Sequence, residues 1–176
     1  VCGRVKMINE KVENVLNAQI NKEFYSAYLY LAMSAYFDEI GLPGFANWTN
    51  IQSREEVDHG MILFAYIAER GGKINFTPIE APVMNLKEPI EIFEKILEHE
   101  QSVTAGINCI ASMSAEECDL ATRNYINWYI EEQVGEEDKA RKIINRLKMI
   151  GNDRAALYML DKELRKREYV EHTYKH

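Results

Sequence analysis

Cysteine is scarce in this chain, and a long apolar run is missing. The three cysteines, Cys2, Cys109 and Cys118, form no CxxC pair. That excludes a disulfide framework and a thiolate metal site, and it suits a reducing cytosol. The longest uncharged run, Gln101 to Ala115, is short and carries Gln, Ser, Thr and Asn, so no transmembrane helix is expected. The opening segment VCGRVKMINEKVE has no apolar signal-peptide core. Basic residues are outnumbered, 21 against 28 acidic ones, and the net charge is −7. Nucleic acid as the main partner would need a basic face, whereas this balance favours cations. There is no solenoid-type repeat and no low-complexity segment.

What is present fits one soluble globular domain over residues 1–176, with 47% hydrophobic and 28% charged residues. The punctuation predicts four long helices and a short fifth. The first runs from Ile8 to Asp38, before Gly41-Leu42-Pro43-Gly44, and the second from Phe45 to Arg70, before Gly71-Gly72. Glycine is the usual terminator in such places. Residues 73–88 hold Pro78 and Pro82 and no helical period, so they read as an extended connection. The third helix starts at Pro89, a favoured first position, and ends near Met113. Ser114-Ala115-Glu116-Glu117 reads as a capping box opening the fourth, which ends at Ile150 before Gly151. The fifth spans 153–167, and the polar tail 168–176 is expected to be mobile. Long helices of this kind span roughly 40 Å. The 73–88 stretch is long enough to cross that length, which makes an all-α antiparallel four-helix bundle over 8–151 with one long crossover.

The helical stripes contain residues that should not be buried alone. Glu23 has Leu16, Ile20, Ala27 and Tyr30 on its face, and Glu100 has Phe93, Ile96, Leu97, Val103 and Ile107. Glu56 and His59 share a face with Leu63 and Ile67, and Glu132, Gln133 and Glu136 lie beside Tyr129, Ile130 and Ala140. An unpaired buried carboxylate is costly, and several together repel. A cation must hold them, and a pair of metal ions is the simplest candidate. Glu56-Val57-Asp58-His59 is an E-x-x-H, which projects a carboxylate and an imidazole from one face. That donor pair suits iron, manganese or zinc. Di-iron bundles of the ferritin-like kind combine a Glu from each of two helices with E-x-x-H from each of the other two. The fourth helix departs from this pattern, because Gly135 stands three residues after Glu132 and Gln133 offers a neutral amide instead. The second metal is therefore expected to be held more weakly.

The segments NKEFYSAYLYLAMSAYF, REEVDH, EHEQ and NWYIEEQVGEED resemble the non-haem ferritins of bacteria and archaea from Ile8 to Arg167. The resemblance implies a 24-subunit hollow shell in the cytoplasm. Such a shell oxidises Fe(II) with dioxygen or hydrogen peroxide and stores ferric mineral. It places the ferroxidase ligands on Glu23, Glu56, His59, Glu100 and Gln133, with Glu56 as the bridge. It places the family tyrosine on Tyr30 and a tryptophan on Trp128. A third iron site falls on Glu55, Glu132, Gly135 and Glu136, weakened here by the glycine.

Tyr30 also reads as a core tyrosine with a bonded hydroxyl, and Trp128 as packing. Glu55, Glu131 and Glu137 taken alone read as solvated surface. His99 is expected to be exposed rather than a ligand, and His172 and His176 incidental. The second nitrogen of His59 should bond an acceptor outside the metal site, for which an Asp or Glu of the first or fourth helix is the candidate. Ala156, Leu157, Leu160 and Leu164 give the fifth helix an apolar face, to be buried at a symmetry contact or on its own bundle. A haem-binding bacterioferritin would have methionine where Val57 stands, and a second E-x-x-H. A rubrerythrin-like peroxidase would carry a CxxC segment. A purely structural bundle would not bury Glu23 and Glu100. Haem is therefore not expected.

Overall fold

A computed structural model describes residues 7–83, 85 and 87–174, so Cys2 and His176 lie outside the described residues. Helix α1 (Glu10–Glu39) is opened by Asn9, whose side chain accepts from Lys11 N–H. It stops at Gly41, where φ is +79°, a value that glycine adopts without strain. Helix α2 (Pro43–Glu69) begins on proline, and Gly71 follows at φ +69°. Helix α3 (Pro89–Glu116) also begins on proline, and Glu91 reaches back to the N–H of Glu88 at 3.1 Å.

The reading of Ser114 as a cap is overturned. Helix α3 runs past it, and its hydroxyl donates back to Ile110 C=O at 2.7 Å. The true cap is Asp119, which accepts from Thr122 N–H at 3.1 Å and opens α4 (Leu120–Tyr125). Ile126 interrupts the pattern, and α5 (Asn127–Ile150) carries on to Gly151. Helix α6 (Arg154–Leu164) is capped by Asp153.

α1 packs on α2, α3 packs on α5, and α1 meets α3. The crossover lies along α1 in register. Glu13 takes the N–H of Lys73, Asn17 bonds Lys73 and Asn75, Asn21 bonds Thr77, and Tyr36 reaches Lys87 C=O. Side chains spaced a turn or more apart on α1 thus satisfy a backbone that has no ladder of its own. This is the all-α ferritin-like bundle, and no helix among the described residues is long and apolar enough to cross a membrane.

α6 packs on α2, with Leu160 and Leu164 buried in the bundle. Asp161 Oδ1 takes the N–H groups of Gly44 (2.7 Å) and Phe45 (3.1 Å) at the start of α2. A Cβ on Gly44 would stand 1.7 Å from Asp161 C=O, so only glycine permits this approach. Tyr158 and Met159 on the other side of α6 are exposed.

The apolar core has two halves. One joins Met33, Phe37, Phe45, Phe93, Ile144 and Leu147. The other joins Leu16, Leu63, Ile67, Ile107 and Tyr129. On each long helix the core-facing stripe turns polar between these halves, where Glu23, Glu56, His59, Glu100, Gln133 and Glu136 are buried. The candidate site is this polar layer between two hydrophobic plugs.

Candidate metal centre

Glu23, Glu56 and Glu100 are each 1% exposed, and His59 and Glu136 2%. Each comes from the core-facing stripe of its helix, so their burial is fixed by the leucines, isoleucines and phenylalanines above and below. Glu23, Glu56 and His59 bring one donor atom each within 4.8 Å of one another. His59 turns Nδ1 toward Glu56, at 3.8 Å from Oε2. Its backbone C=O accepts from Tyr129 O–H at 2.6 Å. Gln19 Nε2 donates to Glu23 Oε1 at 2.7 Å. Glu23 Oε2 is buried with no hydrogen-bond partner among the described residues. With both groups ionised that oxygen is an orphan; a proton shared with Glu56 relieves it in the metal-free site, and a cation beside Glu56 and His59 takes the place of that proton.

Glu100 stands opposite, on α3. Tyr30 O–H donates to its Oε1 at 2.5 Å, and Gln133 Nε2 lies 3.2 Å from its Oε2. Tyr30 thus has the bonded hydroxyl of a core tyrosine. Burial, then the charge of Glu100, pushes its pKa well above the usual value and keeps it a donor. Its ring meets Trp48 edge-on at 6.4 Å. Trp128 is half-buried and sits edge-on to His59 at 5.7 Å.

The electrostatics match a site built for cations. Burial, then the charge of Glu56, raises the pKa of Glu23 to about 8. Burial raises Glu100 to about 7 despite the Tyr30 hydrogen bond. Glu56 is pushed well above the usual carboxylate range by burial and then by Glu100. Glu136 goes the other way. Burial pushes it up, but the charge and hydrogen bond of Lys139 outweigh that and leave it low. Without a cation, the Glu23–Glu56–Glu100 group keeps protons that free carboxyls would lose.

The three carboxylates expected at a third site do not converge among the described residues. Glu55 is buried, not solvated, and pairs with Arg167 at 2.6 Å. Glu136 pairs with Lys139 at 2.7 Å and accepts from Gln52 at 2.8 Å. Glu132 joins instead a cluster with His59 and His172. Glu137 is half-buried and accepts from Thr104, while Glu131 is exposed as expected.

Two histidine expectations are corrected. His99 is half-buried rather than exposed, bonded to Ser26 Oγ at 2.7 Å, and burial lowers its pKa to about 4. The tail does not run off into solvent. It returns along α2, and His172 Nδ1 lies 2.9 Å from His59 Nε2. The second partner of His59 is therefore a tail imidazole, not an acid of the first or fourth helix. No local pattern could reveal this, because the contact spans over a hundred residues and the tail has no period. The only hint was aromatic, with Tyr169 and Tyr174 flanking His172 in a charged segment.

Residues 13–150 match the family described as Ferritin-like domain. The chain belongs to the ferritin family. Over 161 residues it is 37% identical to a bacterial non-heme ferritin of Bacteroides fragilis, covering 92% of this chain and all of that one. It is 39% identical over 158 residues to a probable bacterial non-heme ferritin-like protein of Haemophilus influenzae, covering 90% and 96%. Among solved ferritins, it is similar to the open-pore ferritin of the archaeon Archaeoglobus fulgidus. That match has 46% identity and a TM-score of 0.91, covering 93% of this chain and all of that one.

Proposed function

We propose that the chain is a subunit of an iron-storing ferroxidase. It takes up Fe(II), passes one electron from each ion to dioxygen or peroxide, and leaves Fe(III) as mineral inside a closed 24-subunit shell in the cytoplasm. Iron is the substrate and cargo. The observation that carries this reading is the convergence of Glu23, Glu56 and His59 with a buried, unpartnered oxygen on Glu23.

In this reading Glu56 bridges two irons. Glu23 and His59 Nδ1 hold one, while Glu100 and Gln133 hold the other. Three carboxylates lose their protons as the irons arrive, so loading releases acid. Anionic oxygen donors gain more from Fe(III) than from Fe(II), which lowers the potential and favours electron transfer to the oxidant. Tyr30 holds Glu100 in place and is an oxidisable ring hydrogen-bonded directly to it. Gln133 contributes a neutral oxygen, so the Glu100 iron is the more weakly held and the better placed to leave. A third iron at Glu55, Glu132 and Glu136 would be weakly held, because Arg167 and Lys139 hold two of them and Glu132 must turn back from the tail to join them.

Anaerobic Fe(II) titration followed by air tests this. Fast oxidation saturating at a pair of irons per subunit, with ferric iron retained in large particles, is the expected result. Oxidation without retention would point to a di-iron oxidase or peroxidase with no storage role. Background-rate oxidation would end the ferroxidase reading.

A further inference from the structure

The tail after α6 is anchored on both sides of His172. Arg54 lays its guanidinium 3.6 Å over the Tyr169 ring. Tyr169 O–H donates to Asp58 Oδ2 at 2.7 Å, and the His172 N–H donates to the same oxygen at 2.9 Å. Beyond it, the Tyr174 ring packs against Tyr125, tilted by 32° with the centroids 4.2 Å apart. Held this way, His172 Nδ1 stands 2.9 Å from His59 Nε2 and 3.8 Å from Glu132 Oε2. One donor atom from each of the three residues lies within 4.8 Å of the others.

We infer that His172, Glu132 and His59 Nε2 form a second cation site on the tail side of the His59 ring, suited to Fe(II) or Zn(II). Two imidazoles and one carboxylate are the donor set that holds ferrous iron with positions left open. The spacing fits as well. Bonds of about 2.1 Å put neighbouring octahedral donors about 3.0 Å apart and opposite ones about 4.2 Å apart, and the two distances here fall in or beside that range. Glu55 and Glu136 do not compete for this cation, because Arg167 and Lys139 already hold them.

The two sites share one ring. A neutral imidazole carries one lone pair and one proton. With the Glu23–Glu56 side filled, His59 binds there through Nδ1, and Nε2–H donates to His172. With the tail side filled, Nε2 binds and the proton moves to Nδ1, facing the carboxylates. Each site therefore takes the shared nitrogen from the other: with both filled, His59 stays with the inner pair and the tail-side cation keeps His172 and Glu132, at a position just outside that pair. The tail-side site stands on its own donors. Only its place in iron traffic rests on the ferroxidase reading above.

Zinc, which needs no oxidant, separates the two. Crystals of the full chain soaked in Zn(II) should show an anomalous zinc peak bonded to His172 and Glu132, besides density among Glu23, Glu56 and His59. His172→Gln and Glu132→Gln should each abolish the tail-side peak and keep the inner density. Equilibrium binding should fall by one zinc per subunit in both variants. A wild-type chain with inner zinc only, or a tail-side peak that survives His172→Gln, would overturn the inference. Missing inner zinc would count against the ferroxidase reading instead, whatever the tail side shows.

Discussion

Replacing Glu23 by glutamine should stabilise the metal-free chain, and more so as pH rises. The carboxyl titrates near 4.5 when unfolded and near 8 when folded. Below pH 4.5 both states are protonated and Glu23 has no pH-dependent effect. From 4.5 to 8 the folded state keeps a proton that the unfolded state has lost. Stability then falls with rising pH and levels off above 8. At about 1.4 kcal/mol per pH unit, the penalty at pH 7 is on the order of 3 kcal/mol. Glutamine keeps the shape and the hydrogen bond from Gln19 but carries no charge to desolvate. At this chain length about 3 kcal/mol corresponds to roughly 6–12 °C in melting temperature. Calorimetry in chelator at pH 5 and pH 8 reads this directly. Wild type should lose stability between the two, and Glu23→Gln should lose less and melt higher at pH 8. Added Zn(II) should reverse the order, because only the wild type gains a ligand. Equal pH dependence in both proteins, or a metal-free wild type that melts higher at pH 8, would refute the reasoning.

Other substitutions read other parts of the structure. His59→Ala should remove fast Fe(II) oxidation while circular dichroism shows the fold intact; a wild-type rate in stopped-flow absorbance would remove His59 from the site. Gly135→Glu has open space at Cβ and should raise helix stability by roughly 0.5–1 kcal/mol. It should also increase third-site occupancy in iron-soaked crystals, and unchanged occupancy would show that the glycine does not weaken that site. Gly44→Ala drives a methyl into Asp161 C=O and should release α6, lowering the melting temperature and breaking the large particle seen by light scattering. An unaltered particle and melt would mean that the contact yields without cost.

The bundle was legible because its signals are local. Glycine at 41, 71 and 151 and proline at 43 and 89 mark chain reversals or helix starts by their own backbone geometry. The stripes gave away burial, since four apolar residues share the face of Glu23 and five that of Glu100. Local signals also misled. Ser114-Ala115-Glu116-Glu117 has the composition of a cap, but in a helix that continues, serine turns its hydroxyl back to the preceding turn. Asp119 lay five residues on and won because Thr122 N–H faces it. Glu55 looked solvated because its cover, Arg167, comes from the far end of the chain. His172 was unreadable for the same reason: its neighbours are set by the path of the tail across α2, which no periodicity encodes.

Iron-edge anomalous diffraction from anaerobically soaked crystals tests the central claim most directly. The account predicts a pair of iron peaks sharing Glu56, one bonded to Glu23 and His59 Nδ1 and the other to Glu100. Crystals with iron at surface carboxylates only, and an inner layer left empty among Glu23, Glu56 and Glu100, would contradict it.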